Sequence, residues 1–441
     1  MEHMAQLNTS YYRGRNVFLT GATGFVGCAL LCKLVMSTPC EKVVALVRGG
    51  EQRLWSQLQS ALPLQTWERL RNSRRIYAVN GDLTQQSLGL NQDALQALSE
   101  CSIIIHTASS INLIHPLPKI AKSVIYPTLQ LAKLAIASPR VDRFVYISTA
   151  YSNAHLHMVN EYVETTISEK IYPLSPVEPE QELEELLATG STTAFEKANF
   201  PYPYSYAKNL TERILTEYFS ANVDQLLIVR PSIIGPALRE PYPYYEIRGS
   251  APATGMLAAC VLCTSMSMTW ASPFDDPAAQ SKIDEVPVDV VVNRILVHTA
   301  LRTRGCIHAV AGQRAVRSFG DIWEKAMKMR ALPWTPVLKW KSIDWNSTDL
   351  HPIARIFKIA GGTSYVFEDT KTIDAWNSMS VDDQAHFPLF LETCKDIEDI
   401  EKRKIGVRHQ IEWYFGRRGY PQYLVSMFLT MPPFPQRVSW I

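Results

Sequence analysis

At 441 residues the chain is long enough for one large core or for two or three smaller units. It is 46% apolar and 20% charged, and 44 Lys and Arg against 42 Asp and Glu leave a formal charge of only +2. That balance excludes a nucleic-acid binder built on bulk positive charge and makes any basic site local.

The eight cysteines are scattered. Cys260 and Cys263 form a CxxC with no second pair and no His close in sequence, so no metal is expected. Buried, reduced thiols suit a reducing compartment. Residues 1–6 (MEHMAQ) lack the apolar core of a signal peptide. The most apolar stretch, residues 255–271, is short for a membrane span and carries several Ser and Thr. Residues 423–431 make only about two helical turns before Pro432 and Pro433 stop them. A soluble, cytoplasmic protein is expected, with peripheral membrane contact and oligomeric state left open.

Residues 16–19 (NVFL) form a short apolar run that breaks into Thr20-Gly21-Ala22-Thr23-Gly24-Phe25-Val26-Gly27. A helical pattern follows with Ala29, Leu30, Leu34 and Val35 apolar, and then the Val-rich run 43–47. Strand, glycine turn, helix and strand within about 30 residues make a βαβ unit. Further strands are predicted at 76–79, 103–105, 144–147 and 226–229, with helical stretches between several of them. This alternation predicts an α/β protein: a Rossmann-type, doubly wound parallel sheet with ligands at the strand C-terminal ends. Residues 173–193, rich in Pro, Glu and Ser, are expected to form a loop and an acidic helix over the sheet edge. After about residue 310 the strand pattern fades. Residues 318–329 and 397–414 read as helices, and tryptophan is frequent, Trp345 among six. The expected division is a dinucleotide-binding domain over 12–312, with substrate-binding segments after the sixth strand, and a smaller, mostly helical C-terminal unit over 313–441.

Gly21, Gly24 and Gly27 are spaced GxxGxxG between a strand and a helix. Gly21 permits a tight turn, Gly24 lets the backbone approach a pyrophosphate, and Gly27 lets the helix pack close to the sheet. The phosphate would sit at the helix N-terminus, with Thr20, Thr23, Phe25 and Val26 completing the turn. At the end of the second strand, where a carboxylate would bind a free ribose hydroxyl, stand Arg48 and, a turn later, Arg53. An arginine fork suits a 2′-phosphate, which points to NADPH; the plainer reading is a solvated surface arginine. Asp82 and Leu83 end the third strand, where a carboxylate can accept from an adenine amino group. Thr107 and Ala108 follow the fourth, small enough to line the dinucleotide's path.

The fifth strand ends at Ser148-Thr149, and Tyr204-Ser205-Tyr206-Ala207-Lys208 opens a helix that runs to about Phe219. The YxxxK spacing puts Tyr204 and Lys208 on one helix face. An ammonium beside the phenol would lower its pKa and let it act as an acid at neutral pH. YxxxK alone is common by chance; it gains meaning from the hydroxyl of Thr149 and the dinucleotide turn. Tyr206 faces elsewhere. After the sixth strand, backbone groups of Pro231, Ser232 and Ile233 can hold a nicotinamide carboxamide.

Together these residues resemble the extended short-chain dehydrogenase/reductase superfamily, and within it the alcohol-forming fatty acyl-CoA reductases, whose NAD-binding part is called the male-sterility domain. The resemblance is carried by TGATGFVG (20–27), VRGGEQRL (47–54), GDL (81–83) with Leu88-Gly89-Leu90, ISTAYSN (147–153), YSYAKNLTE (204–212), VRPSIIGP (229–236) and DEVPVDVVVN (284–293). It covers residues 12–312 well and the rest loosely. It implies Thr149, Tyr204 and Lys208 as the catalytic set and Gly21, Gly24, Gly27, Arg48 and Asp82 as cofactor contacts. It implies an acyl-CoA or carrier-protein thioester as substrate, reduced through the aldehyde to a primary alcohol. Three segments depart from the pattern: Ser123-Val124-Ile125-Tyr126-Pro127-Thr128, which lacks a family Asn; Pro241-Tyr242-Pro243-Tyr244-Tyr245; and residues 255–271, the candidate wall of an acyl pocket. Two other readings stay open at this stage: a reductase or epimerase of a small carbonyl metabolite, and a non-catalytic NADP-binding protein.

Overall fold

Runs such as NVFLT, KVVALV and LLIVRP carry apolar residues at consecutive positions, so both strand faces must be covered; that is the signature of a parallel sheet between helical layers. The structure, a computed structural model, describes residues 10–159, 164–342, 347–391 and 399–429. Its central sheet has seven strands: β1 (Asn16–Thr20), β2 (Lys42–Val47), β3 (Ile76–Asn80), β4 (Ile103–His106), β5 (Arg143–Ile147), β6 (Leu226–Pro231) and β7 (Gly305–Ala309). They lie in the order β7-β6-β5-β4-β1-β2-β3, all neighbours parallel. The doubly wound fold expected from the sequence is thus present. Strand order reverses between β1 and β4, and there the sheet opens a crevice for ligands. β7 adds one strand to the six read from the sequence. Its GCIHA lacks a β-branched run, and only its pairing with β6 makes it a strand.

The eight helices needed below are α1 (Phe25–Ser37), α2 (Tyr126–Ala137), α3 (Pro179–Thr189), α4 (Pro203–Tyr218), α5 (Pro252–Val261), α6 (Val288–Ala300), α7 (Phe319–Met329) and α8 (Ile400–Arg418). α1 and α6 pack on one face of the sheet, α2 and α4 on the other. Every residue of α6 is buried, which its valine-rich sequence permits. The acidic helix expected over 173–193 is α3. It packs on α4 rather than at the sheet edge, because Glu182 pairs with Arg213 of α4 at 2.8 and 2.7 Å and accepts from the Tyr206 hydroxyl at 3.0 Å.

A third core joins α5, the strand Ser267–Ala271, α7 and α8, with Trp270 against Phe319 at 4.8 Å between ring centres. Ser318 caps α7 reciprocally with Asp321. Packing crosses residue 312 in both directions. Ala375, Met379, Phe387, Leu389 and Leu391 belong to the core under α1 and α6, while Ser267–Ala271 pairs with Val337–Lys341 and Thr165–Ile167 with Tyr365–Phe367.

Among the described residues no helix is long and apolar enough to cross a membrane, and no group of three or more metal-ligating side chains is assembled. Seven cysteines are free and buried. The fold brings His351 Nε2 to 3.7 Å from Cys263 Sγ, a proximity absent from the local sequence. Residues 1–6, Trp345, Cys394, Ile397 and residues 431–433 lie outside the described residues.

Candidate active site

The turn after β1 fits a dinucleotide phosphate because it has no room for side chains. Gly21 has φ +77°, and a Cβ there would stand 2.6 Å from Thr107 Oγ1 and 2.7 Å from Ala108 N. A Cβ on Gly27 would collide with the Gly21 carbonyl. Gly24 is exposed at the N-terminus of α1, which has no side-chain cap, so the first amides of the helix point outward for an anion. The Gly27→Ala variant is expected to lose cofactor binding, with quenching of intrinsic fluorescence by titrated NADPH as the measurement; unchanged affinity would show that the turn is not the phosphate site.

Thr20 is fully buried. Its hydroxyl lies 2.7 Å from His106 Nδ1 and accepts from Ala108 N at 3.3 Å, and its carbonyl accepts from Thr107 Oγ1 at 2.7 Å. Thr20 and Thr107 therefore lock β1 to β4, while half-buried Thr23, Val26, Thr107 and Ala108 border the crevice. Burial pushes His106 down to about 3, so the ring is neutral between Thr20 and Thr128. The divergent tyrosine segment supports the turn from behind. The Tyr245 hydroxyl donates to the Phe25 carbonyl at 3.1 Å, and Asp289 accepts the amides of Leu238 and Arg239 at 3.0 and 2.8 Å.

Arg48 and Arg53 are both exposed beyond the end of β2. Between them Gly49, at φ +83°, donates its amide to Asn80 Oδ1 at 2.8 Å, which fixes the loop carrying Arg48. Sequence reasoning missed Asn80, which ends β3 directly before the GDL stretch and carries no signal of its own. Asp82 accepts from Thr84 N at 3.0 Å and Thr84 Oγ1 at 2.8 Å. The Thr84 amide, with a contribution from the charge of Arg48, holds its carboxyl below the usual range. Leu83 packs beside it against the core.

At the end of β5, Thr149 caps a short helical turn, accepting from Tyr151 N at 3.3 Å and donating to the Pro231 carbonyl at 3.4 Å. Tyr204 and Lys208 lie on the first turns of α4, Tyr204 half-buried and Lys208 buried. Lys208 Nζ donates to the Ile147 carbonyl at 2.7 Å and stands 5.8 Å from the centre of the Tyr204 ring. Burial raises the Tyr204 phenol above its usual range. It also pushes Lys208 down to about 7, with Glu212 opposing only in part. The expected lowering of the phenol by the ammonium is thus not a property of the protein alone, where desolvation dominates.

One turn beyond Lys208, Glu212 pairs with Arg230 of β6 at 3.0 and 2.6 Å and accepts from Ser148 Oγ at 2.5 Å, all buried. These contacts tie α4 to β6 and to the end of β5, and were invisible in sequence. The amides of Ser232 and Ile233 already donate to the carbonyls of Ala309 (3.2 Å) and Asp284 (3.1 Å), and Pro231 has no N–H. These backbone donors are taken, and only acceptors can face a carboxamide. Ser232 Oγ is held by Asp284, which also accepts from Ala311 N at 2.8 Å. Beside Ile233, Met256 and Leu257 of α5 wall a cavity of about 20 Å³, the size of about one water molecule. The segment 255–271 therefore both packs a core and borders a cavity.

A family model described as "Male sterility protein" matches residues 19–295, more than half of the chain. Fatty acyl-CoA reductase 2 of Homo sapiens is 30% identical over 307 residues, which cover 65% of this chain and 55% of that protein. Fatty acyl-CoA reductase 1 of Pongo abelii is 32% identical over 302 residues, covering 65% and 54%. The chain spans about half the length of these curated relatives. Among solved structures, the terminal R domain from the myxalamid PKS-NRPS biosynthetic pathway has a TM-score of 0.60 at 19% identity, over 93% of each chain, and so shares the fold. The sheet order, the glycine turn and the family match agree: this is an NAD(P)-binding domain with a Rossmann-type fold, and the chain belongs to the male sterility protein family.

Proposed function

We propose that the protein reduces a fatty acyl-CoA, or a similar carrier-protein thioester, to the primary alcohol with NADPH. The observation that carries this reading is the conjunction of Thr149, Tyr204 and Lys208 at the sheet end that also bears the glycine turn, in a chain whose named relatives are fatty acyl-CoA reductases. Gly21, Gly24, Gly27 and the open end of α1 would hold the pyrophosphate, with Thr20, Thr23, Phe25 and Val26 shaping the turn. Arg48 and Arg53 would meet the 2′-phosphate, Asp82 and Leu83 the adenine, and Thr107, Ala108 and the Pro231–Ile233 stretch the path to the nicotinamide. When bound, NADPH supplies hydride to a carbonyl carbon.

The residues of the chain do the rest. Negative charge that builds on the thioester oxygen is met by the hydroxyls of Tyr204 and of Thr149, the latter turned away from the Pro231 carbonyl, and Tyr204 donates the proton. A phenol kept neutral by burial starts the step in the form that can donate. Lys208, released from the Ile147 carbonyl, would bind ribose hydroxyls and stabilise the phenolate that remains. The thiol then leaves the tetrahedral carbon, giving an aldehyde that a second round at the same Tyr204 converts to the alcohol.

Turnover assays with a panel of acyl-CoAs test this directly: NADPH oxidation should depend on thioester, and NADH should serve poorly. Arg48→Ala should weaken NADPH by about tenfold to a hundredfold, the loss of one charge-assisted contact, and leave NADH nearly unchanged. Equal use of both cofactors by the unmodified protein would refute the role of Arg48.

A further inference from the structure

The cavity beside Ile233 has walls of two kinds. α5 and α7 make it apolar, whereas Glu285, Arg317, Lys325 and Arg403 bring charge to the same space. Glu285, Arg317 and Arg403 are only 4%, 7% and 6% exposed. The Glu285 carboxylate meets both guanidinium groups: Arg317 Nη2 on Oε2, and Arg403 Nη2 at 2.8 Å from Oε1. Gly235 makes room for it, since a Cβ there would run into the carboxylate. Burial opposes ionisation of Glu285, and Arg403 and Arg317 outweigh it, so the carboxyl sits below its usual range. Glu246, another acid near Arg403, accepts from Thr254 Oγ1 at 2.6 Å and is pushed up by burial. Two buried arginines therefore share one firmly ionised carboxylate, and among the described residues Arg317 Nε, Arg403 Nη2 and Glu285 Oε1 are all buried without a hydrogen-bond partner. Buried guanidinium groups left short of acceptors favour a further anion.

We infer that this space receives an oxyanion at the far end of the acyl chain, the terminal carboxylate of an ω-carboxyacyl thioester, with Arg317 and Arg403 as its partners. The inference rests on the thioester reading above. A chain running from the reacting carbonyl past Ile233 would lie along Met256 and Leu257 of α5 and end at the arginines. As it stands the cavity has room for about one water molecule, so the terminal carboxylate and the chain behind it must both part α5 from α7. The phosphates of the thioester handle offer the same oxyanion chemistry, so the test separates the two sources.

Three substrates of equal acyl length would be compared with the full chain and NADPH: the plain acyl-CoA, the ω-carboxyacyl-CoA and the plain acyl-pantetheine. The ω-carboxyacyl-CoA should exceed the plain acyl-CoA in kcat/KM by about tenfold or more, through KM, as expected for a charge-assisted contact. Arg403→Gln should bring that ratio toward one, and Glu285→Gln, which removes the internal competing anion, should raise it. A wild-type ratio at or below one, with the plain acyl-CoA turned over, overturns the inference and leaves the thioester reading standing; this outcome needs no variant to fold. An Arg403-dependent loss of about tenfold or more between acyl-CoA and acyl-pantetheine would assign the oxyanion to the handle and overturn its placement on the acyl chain. Absence of NADPH oxidation with all three substrates would take down the reductase reading itself.

Discussion

Tyr204→Phe should fold normally, bind NADPH with its original affinity and lose about 10²–10⁴-fold in turnover, the usual size of a general-acid contribution. Only a hydroxyl is removed, and among the described residues that hydroxyl makes no hydrogen bond that holds the fold together. Tyr206 differs, because its oxygen is bound to Glu182 and Thr192, whereas Tyr204 is half-buried at the start of α4. Lys208→Met should separate the two roles on the same helix. It should lower turnover and also weaken the cofactor, while removing a buried amine whose charge is disfavoured by desolvation. The folded pKa of Lys208, about 7, lies below the unfolded value of about 10.4. Between those values the unfolded chain binds more protons, so stability rises with pH across that window and this penalty is fullest below it. The Met variant should therefore gain stability most at acid pH, as a rise in Tm. Near-full activity of Tyr204→Phe would place the proton donor elsewhere.

The largest loss of stability is expected from Glu212→Ala. It would strand Arg230, which is wholly buried and would keep, among the described residues, only the Lys170 carbonyl, at 2.9 Å, as an acceptor. Breaking a buried pair by deleting one partner costs about 3–5 kcal/mol, to be read as a fall in the urea midpoint at unchanged slope. Glu212→Gln, which keeps an acceptor for Arg230 and for Ser148, should lose clearly less. Because Glu212 sits one turn beyond Lys208, surviving Ala variant protein should also bind NADPH more weakly. A change under about 1 kcal/mol would mean that the pair is solvated in solution and does not anchor the helix.

Much of the fold was legible because parallel strands buried on both faces leave apolar runs, and because the glycines of the first turn report a steric demand at single positions. Gly27 is the plainest case: its missing Cβ is required by the Gly21 carbonyl. What stayed hidden depends on contacts between distant segments. Glu212 reads as an ordinary polar position of a helix, and only the approach of Arg230 makes it a buried ion pair. Strand β7 and the pairs 337–341 with 267–271 and 365–367 with 165–167 exist through partners far along the chain. Residues 375–391 fill the core beside α6, although nothing in their composition distinguishes them from the rest of the C-terminal region. The candidate site was legible where it follows strand ends and helix spacing, at Gly21, Thr149, Tyr204 and Lys208. Which backbone groups of Ser232 and Ile233 are free was not legible, because the availability of a backbone amide depends on which strand lies alongside.

Turnover with NADPH carrying deuterium at both C4 positions decides whether one site performs both reductions. Four-electron reduction at Tyr204 should give a primary alcohol with two deuterium atoms on C1, one free thiol and two oxidised cofactors for each thioester consumed, read by mass spectrometry. Product with a single deuterium, released as the aldehyde with one cofactor oxidised, would contradict the four-electron reduction. Unlabelled product, or no thioester-dependent oxidation of the cofactor, would contradict the reductase reading altogether.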